Sequence, residues 1–223
     1  MNGWGQAEKA EHLSTIAACF DCGPESAHLL LSAMAEKRFS TGANIALRGD
    51  PSAFLFLILE GSVVAEIFGI EGQQAQLTRH RPGEIFGAYP EPALHRADFR
   101  AIGDTHVLSI PAQTLAALAR AHGEIGSGIA VLLARQLDLM LDRMAARIGL
   151  SANGRFHKAL LQLADAKGDI RPAPVISALA LSVHTTRETG SRALAALLRR
   201  GIVERNEDSL RIVSRRMLEE MVI

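Results

Sequence analysis

The stretch HTTRETGSRALAALLRRG, residues 184–201, carries two patterns at once. Leu194, Leu197 and Leu198, with Ala193 and Ala195 beside them, form the packed side of a helix. Arg187, Glu188, Ser191 and Arg192 fall together on the other side, at the N-terminal end, while Arg199 and Arg200 belong to the far end. Thr185 or Thr186 is placed to cap the helix, and Thr185 to Glu188 fits the capping-box spacing. Such a face is either solvated surface whose Arg and Glu pair with one another, or a surface that reads something. The flanks decide between them. A short helix, VISALALSV, precedes it after a brief break, and IVERNEDSLRIV, turning at Asn206-Glu-Asp-Ser209, follows as a hairpin. Together these make a winged helix-turn-helix. A helix entering the major groove presents its first two turns to base edges. Arginine there can donate twice to guanine, and glutamate can accept from the cytosine amino group. Threonine hydroxyls and the helix N-terminus suit phosphate.

The chain has 223 residues, 48% hydrophobic and 22% charged, with zero net charge. The charge is uneven: from Leu150 onward there are 12 Lys and Arg against 8 Asp and Glu, and the first 149 residues hold the other 12 and 16. A basic last third hints at a polyanion-binding module attached to something else. The longest apolar run, FLFLIL at 54–59, is far short of the ~20 residues that cross a bilayer. The start, MNGWGQAEKAEH, has no basic patch followed by an apolar stretch, so the expectation is a cytoplasmic protein with no membrane partner. Two cysteines, Cys19 and Cys22, are no disulfide framework. Gly-x-Ser-x-Gly, His-Glu-x-x-His and Gly-Lys-Ser/Thr phosphate-loop motifs do not occur, and the expectation is that the protein is not an enzyme.

Residues 13–37 read as short helices, with Pro24 after Gly23 starting a helix through LLLSAMAEK. From Arg38 to Ile110 the runs FLFLIL, SVVAEIF, EIFGAY and HVLSI alternate with turn signals at Gly42, Gly49, Gly61, Gly72 and Gly83, the pattern of a small antiparallel sandwich or barrel. A helix starts at Pro111 and breaks near His122-Gly123. A long one follows over 124–148, where Ile129, Leu133, Leu137, Met140, Met144 and Ile148 step as one stripe, widened by Leu132, Leu139 and Leu141. That stripe fits a helix lying on its own barrel as well as a two-chain seam. Ser151 or Asn153 caps the next helix, RFHKALLQLADA, and a loop at Lys167-Gly-Asp-Ile follows.

Several segments in order resemble the CRP/FNR superfamily of bacterial transcription regulators. TRETGSRAL with LLRRGIV is similar to its recognition helix, and FSTGANIALRGD at 39–50 to the entry strand of its cyclic-nucleotide-binding β-roll. LILEGSVV at 57–64 resembles its central hairpin, RPGEIFG at 81–87 the segment leading to the effector pocket, and SANGR at 151–155 the hinge. The resemblance implies an α+β fold: an N-terminal antiparallel β-roll of double-stranded β-helix or jelly-roll type, a long dimerisation helix and a C-terminal winged helix-turn-helix. It implies an effector-sensing domain over 1–122, a dimerisation helix and hinge over 123–150, and a DNA-binding domain over 151–223. The implied partners are a second copy, joined along Ile129, Leu133, Leu137, Met140 and Met144, palindromic double-stranded DNA, and RNA polymerase, with the loop at 167–169 placed to meet it. The DNA-binding set is Thr185, Thr186, Arg187, Glu188, Ser191 and Arg192. Arg187, Glu188 and Arg192 match the base readers of the cyclic-AMP-responsive branch; Glu188, Ser191 and Arg192 match those of the oxygen-responsive branch. His184 stands where the family usually has a turn glycine, and ISALALS lacks the usual phosphate-touching polar residues.

By the same resemblance the effector pocket is Gly87, Ala88, His95, Arg96 and Ala97. Relatives that bind cyclic AMP have a glutamate after the pocket glycine and an arginine-serine pair later. Here Ala88 takes the first place, and His95 and Arg96 the pair, although a one-residue slip returns Arg96 to the phosphate. Losing a buried charged partner costs about 2–5 kcal/mol of binding, so cyclic AMP is not the expected effector. Iron–sulfur clusters need four cysteine ligands and the chain has two, which leaves Cys19 and Cys22 as a redox candidate only. A haem ligand among the histidines, His80 and His95 flanking the pocket segment, has no close pairing to support it. The signal is therefore unassigned, no cofactor is implied, and the competing reading is a cyclic-nucleotide-type, haem or redox sensory module acting on a protein partner.

Overall fold

The computed structural model describes residues 5–68 and 74–222; Gly72 and the first four residues of the quoted N-terminus lie outside them. The chain divides into two compact units, Met1–Leu139 and Met140–Ile223.

The first unit opens with helices α1 (Gln6–Phe20) and α2 (Pro24–Ala33). Strands β1 (Ala35–Phe39), β2 (Asn44–Ala46), β3 (Pro51–Ser52) and β4 (Phe54–Phe68) follow, then β5 (Gln74–His80), β6 (Ile85–Gly87), β7 (Ala93–Leu94) and β8 (Asp98–Pro111). Helix α3 (Ala112–Ala121) and helix α4 (Gly123–Gly149) come after them. The main sheet runs β1-β8-β4-β5, with β2 on β8 and β6 on β4, and β3 pairs β7. These pairings are antiparallel, as a chain without intervening helices requires. Among the described residues the sheet does not close into a barrel.

The apolar continuity of 54–59 has a two-faced cause. Leu55 and Leu57 point to Ile16, Phe20, Leu30, Leu31, Leu115 and Ile125 on the helices; Phe56 and Ile58 point to Val63, Phe86 and Val107. Both faces of β4 are buried, so its sequence does not alternate.

Three expectations for this unit need correction. The helix read through LLLSAMAEK ends at Ala33, and Ala35–Phe39 is strand β1, paired from Ala35 with Ser109 to Phe39 with Thr105. The helical region begins at Gln6 rather than 13. FLFLIL and SVVAEIF are a single strand, because Gly61 (φ 74) is no hairpin turn; the register with β8 shifts on either side of Glu60. A glycine there makes a bulge that bends the strand.

The second unit holds the end of α4, then α5 (Ala152–Leu163), β9 (Asp169–Ile170), α6 (Ile176–Ser182) and α7 (Arg187–Arg199). Strands β10 (Val203–Arg205) and β11 (Leu210–Ile212) and helix α8 (Arg215–Glu220) complete it. Its core joins Phe156 and Leu160 of α5 to Leu179, Leu194, Leu197, Ile202, Val203, Leu210, Ile212 and Leu218. Residues 167–170, read as a loop, contribute β9, which pairs with β11 and widens the hairpin to the order β10-β11-β9. Helix α8 is an element the sequence reading did not include.

Candidate functional site

Helix α7 begins at Arg187, not His184, and its cap is Thr186: the Thr189 N–H donates to Thr186 Oγ1 at 3.2 Å. Thr185 lies one residue too early to cap, so the Thr185–Glu188 capping-box spacing is not used. The buried side is Gly190, Ala193, Leu194 and Leu197, while Ala195 is exposed. Gly190 was not singled out in the sequence, yet it sets how closely α7 approaches its neighbours. A Cβ there would lie 3.1 Å from both Ala180 Cβ and the Phe156 ring.

Arg187, Glu188, Ser191 and Arg192 are all exposed at the N-terminal end of α7, and Thr185 is half-buried. Among the described residues neither Arg187 nor Arg192 makes an ion pair; Arg192 reaches only Thr189 Oγ1, at 3.5 Å. Arg215 and Arg216 are paired, with Glu219 at 3.0 Å and Glu220 at 3.1 Å. The exposed Arg171, Arg199 and Arg205 make no ion pair among the described residues, so it is position on the capped first turns that sets Arg187 and Arg192 apart. The Glu188 carboxyl is held below the ordinary glutamate range, first by its own backbone N–H and then by the Thr186 hydroxyl. It is therefore an acceptor at neutral pH. Helix α5 starts beside this end, capped by Ser151, whose Oγ accepts from the Gly154 N–H at 3.0 Å. A hollow of about 330 Å³ lined by Asn153, Thr189 and Arg192 opens there.

In the turn before α7, His184 has φ 55, the left-handed conformation that a glycine adopts without penalty. The departure noted in the sequence is thus accommodated in the backbone rather than by a different turn.

The pocket residues of the first unit are differently placed. Gly87 (φ 105) passes so close to the Phe54 carbonyl that a side chain would collide with it. Ala88, His95 and Ala97 are buried, and Arg96 is exposed. Rings cluster in the same region: Phe56 stacks on Phe86 at 4.8 Å, Phe86 on Phe99 at 5.0 Å, and His95 meets Phe99 edge-on at 5.4 Å. His80 joins the same group, 5.8 Å from Phe86. Burial holds the His95 imidazole below its ordinary range against the opposing pull of Asp50, so it is neutral at pH 7. The same unit holds a buried carboxylate that no sequence motif marks. Glu66, 3% exposed, takes Arg100 Nε at 2.8 Å and a second guanidinium nitrogen at 3.0 Å, and Gln74 also donates to it. Arg100 pairs across the sheet with Val64, which puts Glu66 on its diagonal.

Cys19 is half-buried, Cys22 buried, and both are free. Burial raises both thiols; Arg135 pulls Cys19 the other way, while Glu124 and Asp21 push Cys22 further up. Protonated thiols are poor redox nucleophiles. Among the described residues no group of three or more His, Cys, Asp and Glu is arranged to hold a metal.

The expected seam splits along α4. Ile129, 2% exposed, and Leu132 pack into their own unit's core, so Ile129 does not belong to the free stripe. Leu133, Leu137, Met140 and Met144 are exposed, as are Leu139, Leu141 and Ile148, the last at 83%. No described helix is long and apolar enough to cross a membrane.

Comparison with known proteins agrees with both halves of this description. Residues 36–122 match the family model of the cyclic nucleotide-binding domain, and residues 154–221 that of the Crp-like helix-turn-helix domain. The chain is 31% identical over 205 residues to a cyclic AMP receptor protein of Thermus thermophilus, covering 89% of this chain and 93% of that one. In fold it is similar to FixK2 of Bradyrhizobium japonicum, with a TM-score of 0.73 at 22% identity, covering 85% and 98% of the two chains. It is also similar to a CooA variant of Carboxydothermus hydrogenoformans, with a TM-score of 0.72 at 22% identity, covering 87% and 90%.

Proposed function

Because the chain belongs to the CRP family of transcription regulators, we propose that it binds palindromic DNA as a homodimer through α7 and answers to a signal other than cyclic AMP. The observation that carries the first part is the set Arg187, Glu188, Ser191 and Arg192: exposed, on the first turns of a capped helix, with its arginines close enough to lower the Glu188 carboxyl but in no ion pair among the described residues. In a major groove these arginines meet guanine edges and Glu188 a cytosine amino group, while Thr185, Thr186 and the helix N-terminus hold phosphate. Residues 151–223 are the DNA-binding part, 123–150 join the protomers, and 1–122 sense. The exposed run Leu133 to Ile148 on α4 supports dimerisation, since a helix that buries such a run against a second copy fits the family's two-fold DNA sites. RNA polymerase is the further partner, met in part through residues 167–169.

Against cyclic AMP stand the pocket side chains. An anionic cyclic phosphate would meet a neutral His95 among phenyl rings, with Arg96 outside and an alanine where the ribose acceptor would be. The Thermus relative is named a cyclic AMP receptor; this chain's residues do not fit that ligand. The experiment is selection of bound duplexes from a palindrome library at fixed salt, with the protein's mass measured by sedimentation and cyclic AMP binding by calorimetry. A dimer that enriches one half-site pair and gives no binding heat at micromolar nucleotide is expected. A monomer, an unenriched pool, or micromolar cyclic AMP affinity contradicts the corresponding part.

A further inference from the structure

Arg155 lies in the first turns of α5, and its guanidinium is spent on backbone carbonyls. Its Nε donates to Val183 O at 2.8 Å and one terminal nitrogen to His184 O at 3.0 Å. The other terminal nitrogen donates to Leu150 O at 2.9 Å and, more distantly, to Arg147 O at 3.5 Å. Among the described residues it makes no ion pair with a carboxylate. Two separate segments are joined by this fork. One is the C-terminal end of α4, whose last carbonyls lack helical partners and attract a cation. The other is the turn between α6 and α7, where His184 is held at φ 55, a conformation that costs a non-glycine residue about 1 kcal/mol. A planar guanidinium spans these directions at once; an ammonium, with its donors on one atom, does not.

We propose that Arg155 is a positioning residue: it fixes the turn that launches α7 against the last turn of α4, and so sets the spacing at which two recognition helices meet a palindrome. This rests on the dimeric DNA-binding reading above. The His184 ring reports on the same contact, because Arg155 contributes, after burial and Arg147, to holding its imidazole below the ordinary range.

The test uses the full chain and the Arg155→Lys and Arg155→Gln variants, with duplexes carrying the selected half-sites at their native separation and shifted by a base pair or two, and a single half-site. The wild type is expected to prefer one separation by about tenfold or more, since successive major grooves face the same side every ~34 Å. Arg155→Gln is expected to flatten that preference to within about threefold while leaving half-site affinity within about threefold, because the base-reading side chains are untouched. Arg155→Lys is expected to fall between. The His184 proton resonances of Arg155→Gln should titrate at higher pH than in the wild type, which mere loss of stability would not produce. Retention of the wild-type separation preference in both variants overturns the proposal. If Arg155→Gln does not fold, the Lys variant decides alone, and wild-type behaviour in it overturns the proposal. A wild type with no preference among sequences or separations overturns the dimeric reading and this one together.

Discussion

The buried pair of the first unit and the exposed end of α7 in the second use their arginines in opposite ways. In the first, Arg100 is bound in a two-pronged pair to the buried Glu66, and Phe56, Phe86, Phe99 and His95 form a ring cluster in the same unit. In the second, Arg155 is consumed by backbone carbonyls, while Arg187 and Arg192 stand exposed and unpaired at the end of a capped helix. An arginine satisfied inside its own unit holds that unit's shape; one left unsatisfied on a rigid element is available to something outside. The first unit also carries exposed arginines outside any ion pair, Arg79 and Arg96, so what distinguishes Arg187 and Arg192 is their place on the first turns of a capped helix.

The largest effect should come from breaking the closed pair. Arg100→Ala leaves the Glu66 carboxylate buried without its cation, and such a loss typically costs about 3–5 kcal/mol. Urea unfolding should show the first unit weakened by that order; a change under ~1 kcal/mol would mean that water takes over the role of Arg100. At the open end, Arg192→Ala should leave stability unchanged within ~0.5 kcal/mol but relax base choice at one position by about 1–3 kcal/mol. A uniform loss across all sequences would reassign Arg192 to phosphate. Smaller again is the cap: Thr186→Ala should destabilise the second unit by about 1 kcal/mol, read as a shifted thermal midpoint.

The acid side sharpens the contrast in another way. His95, His106 and His184 all have imidazoles lowered first by burial. Folding therefore resists their protonation, and the unfolded chain takes up more protons once the pH falls below the free-histidine value of about 6.5. Stability should decline from there downward, in both units. Glu66 behaves oppositely in sign. Burial pushes its carboxyl up, but hydrogen bonds from Arg100 and Gln74 and the charge of Arg100 outweigh it and bring it below the ordinary range. Its contribution is present above the free-glutamate value of about 4.3 and is lost as the pH falls through the lower folded value. Urea midpoints recorded from pH 8 to 3.5 should show the first decline in both units and the second in the wild type but not in Arg100→Ala.

The elements legible in the sequence were those whose pattern is local. The stripe and cap of α7, the short helix before it, the hairpin after it and the long α4 each declare themselves within a few turns. What was hidden depends on partners far along the chain. Strand β1, AEKRF, is polar at an edge and becomes a strand only because β8 pairs with it. Strand β5, QAQLTRH, likewise has no alternation that stands out alone. Gly61 reads as punctuation but works as a bulge, and the two residues of β9 exist only against β11. The site divides along the same line. Exposed base-reading candidates sit within one helix, whereas the Glu66–Arg100 pair spans 34 positions and the Arg155 fork up to 29. No periodicity reports such contacts. Along the stripe of α4, Ile129 is taken by its own unit's core, which the periodicity alone does not reveal.

The most direct test is a fluorescence-anisotropy titration at fixed physiological salt, comparing the selected palindrome with a scrambled duplex for the wild type and for Arg187→Ala/Arg192→Ala. The wild type should favour the palindrome by about 10³-fold or more, and the double variant should lose most of that ratio while keeping its salt-dependent affinity for scrambled DNA. Equal discrimination by the two proteins would contradict the assignment of base reading to α7.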